Sequence, residues 1–235
     1  MHFEERAIYD DYLFSFGVYI FVFDAVIFMR NVLLIGGMGS GKTTLADALR
    51  REVPEINYVS MALYAVQIPL TIIKDRGSDI LQLEKDSYIK TIAKAAVCTP
   101  LTDFTRAEMD DFARHVTDTY GPTFYGELAF SLVQDDKPTL VDNQAGEVNV
   151  RFLQDKGFYV VGLACSFENQ MKRRLENTKQ MDPTDCLTLE RQIHETNHYF
   201  EIVHSLPLAH VRYNTDDERS DSARIVGEVV RILRG

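Results

Sequence analysis

Leu33-Leu34-Ile35-Gly36-Gly37-Met38-Gly39-Ser40-Gly41-Lys42-Thr43-Thr44 decides how this chain is read. It is an apolar run, a glycine-rich turn and a helix start in immediate succession. Gly36, four residues, then Gly41-Lys42-Thr43 is the spacing of a phosphate-binding loop. The residue types follow from the chemistry. A chain of phosphates is gripped by backbone N–H groups, so bulky side chains must be absent where the backbone approaches. Glycines at 36, 37, 39 and 41 meet that need. A helix opening near Lys42 offers unpaired N–H groups and the positive end of its dipole. Lys42 reaches the β- and γ-phosphates as a point charge, and the Thr43 hydroxyl is placed to ligate Mg²⁺. The predicted nucleotide-binding set is therefore Gly36, Gly37, Met38, Gly39, Ser40, Gly41, Lys42, Thr43 and Thr44.

The flanks agree. Val32 to Ile35 is a buried-strand run, and Leu45, Ala48 and Leu49 recur on one side of a helix. Downstream, the pattern predicts a strand at 56–60, a helix at 61–70 with Pro69 near its end, a loop at 71–77 and a long helix from Ser78-Asp79 to about Cys98. Thr105, with Glu108 three residues on, predicts a capping box for a helix to about Thr119. Further helices are expected at 123–133, 146–156, 167–177, 187–200 and 220–233. Strands are expected at 139–142, 158–165 and 210–213. Strands alternating with helices predict a three-layer α/β/α fold on a mostly parallel five-stranded sheet, with a ligand at the carboxyl ends of its strands.

Composition narrows the partners. Of 235 residues, 46% are hydrophobic, enough for one α/β core. The net charge is −10 and no basic run stands out, so no extended nucleic-acid footprint is expected. Three well-separated cysteines argue for a reducing compartment, and a cytoplasmic location is expected. Residues 1–28 are unusual: Tyr12 to Met29 is apolar and aromatic, broken by Asp24. A bilayer-spanning helix there would run straight into the first strand and place Asp24 in lipid. An accessory element, or a translated upstream region with Met29 as the true start, is the favoured reading over a membrane partner.

Thr139-Leu140-Val141-Asp142 is a short apolar strand ending in an acid. Asp142 at that point can hold Mg²⁺, directly or through water, opposite Thr43, although Asp142-Asn143 is also an ordinary turn signal. The histidines 194, 198 and 204 have near-helical spacing but lack a recognisable third-ligand pattern, and are read as surface residues.

From Met29 onward the chain resembles the nucleoside-monophosphate-kinase group of P-loop kinases, in particular dephospho-CoA-kinase-like and archaeal or phage (deoxy)nucleotide monophosphate kinase sequences. The likeness rests on Ile35–Thr44, on Thr105-Arg106-Ala107-Glu108-Met109 with Tyr120-Gly121-Pro122, and on Val141-Asp142 followed by Phe152-Leu153-Gln154-Asp155-Lys156-Gly157 and the 158–165 strand. The resemblance implies a kinase domain over 29–235, with an acceptor-binding insert at about 59–134 and a lid at about 173–197. It implies ATP and Mg²⁺ as cofactors and a small phosphorylated acceptor, a nucleotide. It places Arg106 near the acceptor phosphate and makes Arg173 and Arg174 lid arginines, catalytic together with Lys42 and Asp142. It sets Asn214 and Thr215 against the adenine. The chain departs from the family after Asp142. Asn143-Gln144-Ala145 stands where Gly-x-Arg is usual, which removes an expected acceptor-phosphate contact. Two alternatives stay open: a kinase of a modified-base or nucleic-acid hydroxyl, and a regulatory ATPase switch.

Overall fold

The computed structural model describes residues 30–77, 80–95, 104–142, 146–177, 190, 191, 193, 194, 197, 202–216 and 222–235. Five parallel strands form one sheet: β1 (Val32–Gly36), β2 (Asn57–Ser60), β3 (Thr139–Asp142), β4 (Tyr159–Ala164) and β5 (Val211–Asn214), in the order β2-β3-β1-β4-β5. β1 lies at the centre, and its four leading residues are fully buried because both faces are covered. Alternation sorts them. Val32 and Leu34 face one layer with Leu140, Leu163 and Tyr213, under α1 (Lys42–Glu52) and the C-terminal helix, Ser222–Arg234. Leu33 and Ile35 face the other, with Val59, Val141 and Val160.

That second layer is the helical segment between β2 and β3, together with a helix after β3. A π-helical turn, Leu63–Gln67, runs into α2 (Ile68–Arg76). After a 3₁₀ turn at Ile80–Gln82 come α3 (Lys85–Ala95), α4 (Arg106–Tyr120) and α5 (Phe124–Ser131). Then follow α6 (Glu147–Asp155) after β3, α7 (Phe167–Asn177) after β4, and α8 (Ile202–Ser205). The C-terminal helix is α9.

Two local expectations are corrected. Residues 71–76, expected as a loop, belong to α2, and Pro69 sits in that helix's first turn rather than near its end. The chain is already helical before it, and the π-helical turn Leu63–Gln67 immediately ahead marks the local change of pitch next to the proline. Buried Ile72 and the bond from Thr71 Oγ1 to the Gln67 carbonyl (2.8 Å) hold the segment helical until Gly77. The long helix expected from Ser78 instead has its described part as a 3₁₀ turn followed by α3. Leu83, between the two, is exposed. The capping box is present: Thr105 Oγ1 accepts from Glu108 N–H (3.3 Å), and Glu108 Oε2 accepts from Thr105 N–H (2.7 Å). The expectation for residues 1–28, and most of the helix expected at 187–200, lie outside the described residues. Among the described residues no helix is long and apolar enough to cross a membrane.

Candidate active site

All five strands end at one rim, and the loop from Gly36 to Gly41 forms its centre. Gly41 has φ +92° and caps α1 in the left-handed region, which a β-carbon disfavours. Gly39 has φ +76°, and a β-carbon there would come within 3.3 Å of the Gln170 backbone on α7. Among the described residues no side chain caps α1, and no acidic residue occupies its first turn. Ser40 is fully buried, and among the described residues its Oγ has no hydrogen-bond partner. A helix start without a side-chain cap and an orphaned hydroxyl inside the turn are what an anionic phosphate would satisfy. Lys42 Nζ donates to the carbonyls of Gly36 (2.9 Å) and Gly37 (3.1 Å), so the ammonium lies across the loop.

Thr43 and Asp142, 99 residues apart in sequence, meet here. Thr43 Oγ1 donates to Asp142 Oδ2 at 3.3 Å. The cause is sheet register. Leu34 on β1 is level with Asp142 on β3, so the acid lies beside the strand that feeds the loop. A threonine hydroxyl that donates to a carboxylate keeps two lone pairs. Oxygen donors of this kind suit Mg²⁺, and Thr43 and Asp142 would hold it here. Tyr58 OH donates to the same Oδ2 at 3.3 Å. Burial first, then the Asp142 charge, push the phenol far above its ordinary value, so Tyr58 is a neutral donor.

The loop opens into a cavity of about 1120 Å³ that runs along α1 to Asn214, Thr215 and the start of α9. Its volume suits a nucleotide. Arg173 and Thr215 close its near end. Arg173 donates to the Gly39 carbonyl (3.2 Å), to Thr215 Oγ1 (3.2 Å) and to the Thr215 carbonyl. Thr215 Oγ1 in turn lies within hydrogen-bond distance of the carbonyls of Ser40 (3.0 Å) and Ala164 (3.1 Å). Arg173 therefore braces the phosphate loop against the segment after β5. The next residue, Asp216, accepts from Ser166 N–H (2.8 Å), Ser166 Oγ (3.0 Å) and Asn169 Nδ2 (2.9 Å). These donors, Asn169 foremost, lower its carboxyl to about 2.

On the other side of the loop, Asn197 Oδ1 accepts from Met38 N–H (3.1 Å), while Asn197 Nδ2 donates to Gln170 Oε1 (3.0 Å). Met38 and Ile193 are buried together there.

The structure thus gathers Gly36–Thr44, Asp142, Arg173, Asn214 and Thr215 around one rim. Arg106 opens α4 and Arg174 lies within α7. Their side chains, and residues 143–145, lie outside the described residues. Sequence reasoning did not single out Tyr58, Gln170, Asn197 or Asp216. For Asp216 a signal existed, since Asn214-Thr215-Asp216 has the composition of a side-chain-bonded turn. For the others none did, because their partners are remote in sequence.

No family model matches the chain, and no curated protein matches it in sequence. Among solved structures it is similar to shikimate kinase from Bacteroides thetaiotaomicron, at 16% identity, TM-score 0.47, covering 87% of this chain and 98% of that one. It is also similar to a gluconokinase from Sinorhizobium meliloti, at 18% identity, TM-score 0.46, covering 88% and 92%. A third is shikimate kinase from Aquifex aeolicus, at 17% identity, TM-score 0.45, covering 88% and 97%. Likenesses this loose do not carry a substrate or a mechanism across.

Proposed function

We propose that the protein is an ATP-dependent phosphotransferase, moving the γ-phosphoryl group to a small phosphorylated acceptor, a (deoxy)nucleoside monophosphate. The observation that carries the reading is the meeting of Thr43 and Asp142 at 3.3 Å beside a glycine turn whose helix has no side-chain cap. In such a reaction the P–O bond to ADP breaks and a new P–O bond to the acceptor oxygen forms, with charge spread over the equatorial oxygens. The loop amides and the Lys42 ammonium neutralise that charge from the donor side. Thr43 and Asp142 would hold Mg²⁺, which would supply positive charge to offset the negative charge of the phosphates. Arg173 keeps the loop in register with the base-side segment at Asn214 and Thr215.

The acceptor assignment rests on the sequence resemblance and on the placement of Arg106 at the capped start of α4. The helices between β2 and β3 shape the acceptor side and exclude water on closure. An ADP-release assay over a panel of nucleoside monophosphates, dephospho-CoA and water tests the reading. Release with one acceptor class supports it. Slow release with water alone identifies an ATPase switch and overturns it.

A further inference from the structure

Asp142 is approached by hydroxyls from two different elements, and the phosphate-loop pattern accounts for one of them. Thr43 belongs to that pattern. Tyr58 does not: it comes from β2, the edge strand, and donates to the same oxygen, Oδ2, at the same 3.3 Å.

Register explains how it gets there. Ser60 is level with Asp142 and Tyr58 with Leu140, so Tyr58 starts two residues short of the acid. Residues 58, 140 and 142 share a sheet face, the one covered by α1. A side chain standing on that face leans along the strand, and a ring is long enough to bring its hydroxyl level with the carboxylate. Arg50 of α1 lies over the ring, 5.0 Å from its centre, and Asp47 pairs with Arg50 at 3.4 Å. The ring is thereby held between α1 and the sheet. Packing alone would be served by phenylalanine here. The hydroxyl adds a second donor to one oxygen of a carboxylate that is 8% exposed. Among the described residues no hydrogen bond is made to the other oxygen, Oδ1.

We propose that Tyr58 is a positioning residue: with Thr43 it saturates Oδ2 of Asp142, fixing the carboxylate so that Oδ1 serves a divalent cation carried by the nucleotide phosphates. The inference rests on the nucleotide reading given above. Two donors on one oxygen remove the carboxylate's freedom to rotate, so the cation meets an oxygen already in place. Groups that orient a metal ligand in this way typically change metal affinity by about 10- to 100-fold when removed.

The test measures ATP binding by calorimetry, once with excess Mg²⁺ and once in EDTA, for the full chain and for Tyr58→Phe. The ring under Arg50 is kept, so the thermal midpoint is expected to be unchanged. Binding with Mg²⁺ is expected to weaken about tenfold, and binding in EDTA to stay as in the parent. Combining Tyr58→Phe with Asp142→Asn is expected to weaken Mg²⁺-dependent binding no further than Asp142→Asn alone, because Tyr58 acts through that carboxylate. Tyr58→Leu is expected to repeat the Mg²⁺ effect with a lower thermal midpoint. Equal losses with and without Mg²⁺, additive losses in the double variant, or no loss at all would each overturn the proposal while leaving the nucleotide reading intact. Absence of ATP binding by the parent chain would overturn both.

Discussion

The turn between β1 and α1 and the helical segment between β2 and β3 are held in opposite ways. The turn is fixed from outside. Arg173 and Thr215 grip its carbonyls from the β5 side, Asn197 takes the Met38 N–H, and Gln170 packs against Gly39. Of its own side chains only Met38 packs in a hydrophobic cluster, beside Ile193. The helical segment is fixed from within. Tyr88, Tyr120 and Phe124 pack together with ring centres 5.0–5.4 Å apart, Tyr120 stacked on Phe124 and Tyr88 edge-on to Phe124, and Tyr125 meets Phe124 edge-on. Tyr120 OH lies within hydrogen-bond distance of the carbonyls of Ile80, Leu81 and Leu83, the shortest at 2.9 Å. The difference teaches where change is tolerated. A turn held by many remote polar partners has one usable geometry, whereas the helical segment is set by apolar packing that is continuous with one face of the sheet.

If that division holds, substitutions in the two regions should fail differently. Lys42→Ala is expected to abolish turnover with every acceptor while leaving the thermal midpoint in place. Steady-state ADP release and a melting curve on the same sample check both halves. Phe124→Ala should do the reverse. Deleting a fully buried ring costs about 3–5 kcal/mol of stability, read by urea unfolding. ATP affinity of the folded fraction should be untouched, and a selective loss of ATP binding would break the comparison.

Arg106→Ala sharpens it further, because Arg106 opens the insert but is assigned to the acceptor. Losing a charge-assisted hydrogen bond of about 1.5–3 kcal/mol should raise the acceptor KM roughly 10- to 100-fold at constant ATP KM. Unchanged acceptor kinetics would remove Arg106 from the site. The smallest effect belongs to the brace after β5. Asp216 has a carboxyl lowered to about 2 against an unfolded value near 4, so its stabilisation is present above about pH 4 and is lost as pH falls toward 2. Asp216→Asn should therefore lower the thermal midpoint slightly at pH 7 and converge with the parent only as pH falls to about 2. A midpoint difference that persists there would point to a role other than charge.

Local patterns carried much of this. The glycine spacing announced the phosphate turn because its requirements, positive φ and no side chains, are met residue by residue. Thr105 and Glu108 announced the start of α4 for the same reason: a capping box closes within four residues. The segment around Pro69 misled, since a proline reads equally well as a stop or as a first-turn residue. Buried Ile72 and Ile68, which face a core assembled from distant helices, decided for the helix.

The chain's own order of residues was enough to announce a phosphate-gripping turn, an alternating α/β arrangement and an acid at the end of the third strand, because each is a pattern of near neighbours whose physics closes over a few residues. Folding was needed to bring Tyr58 and Thr43 onto one oxygen of Asp142, and to set Arg173, Thr215 and Asn197 around the turn. Those meetings depend on strand register and on the order β2-β3-β1-β4-β5, which place residues together that no short stretch of sequence relates.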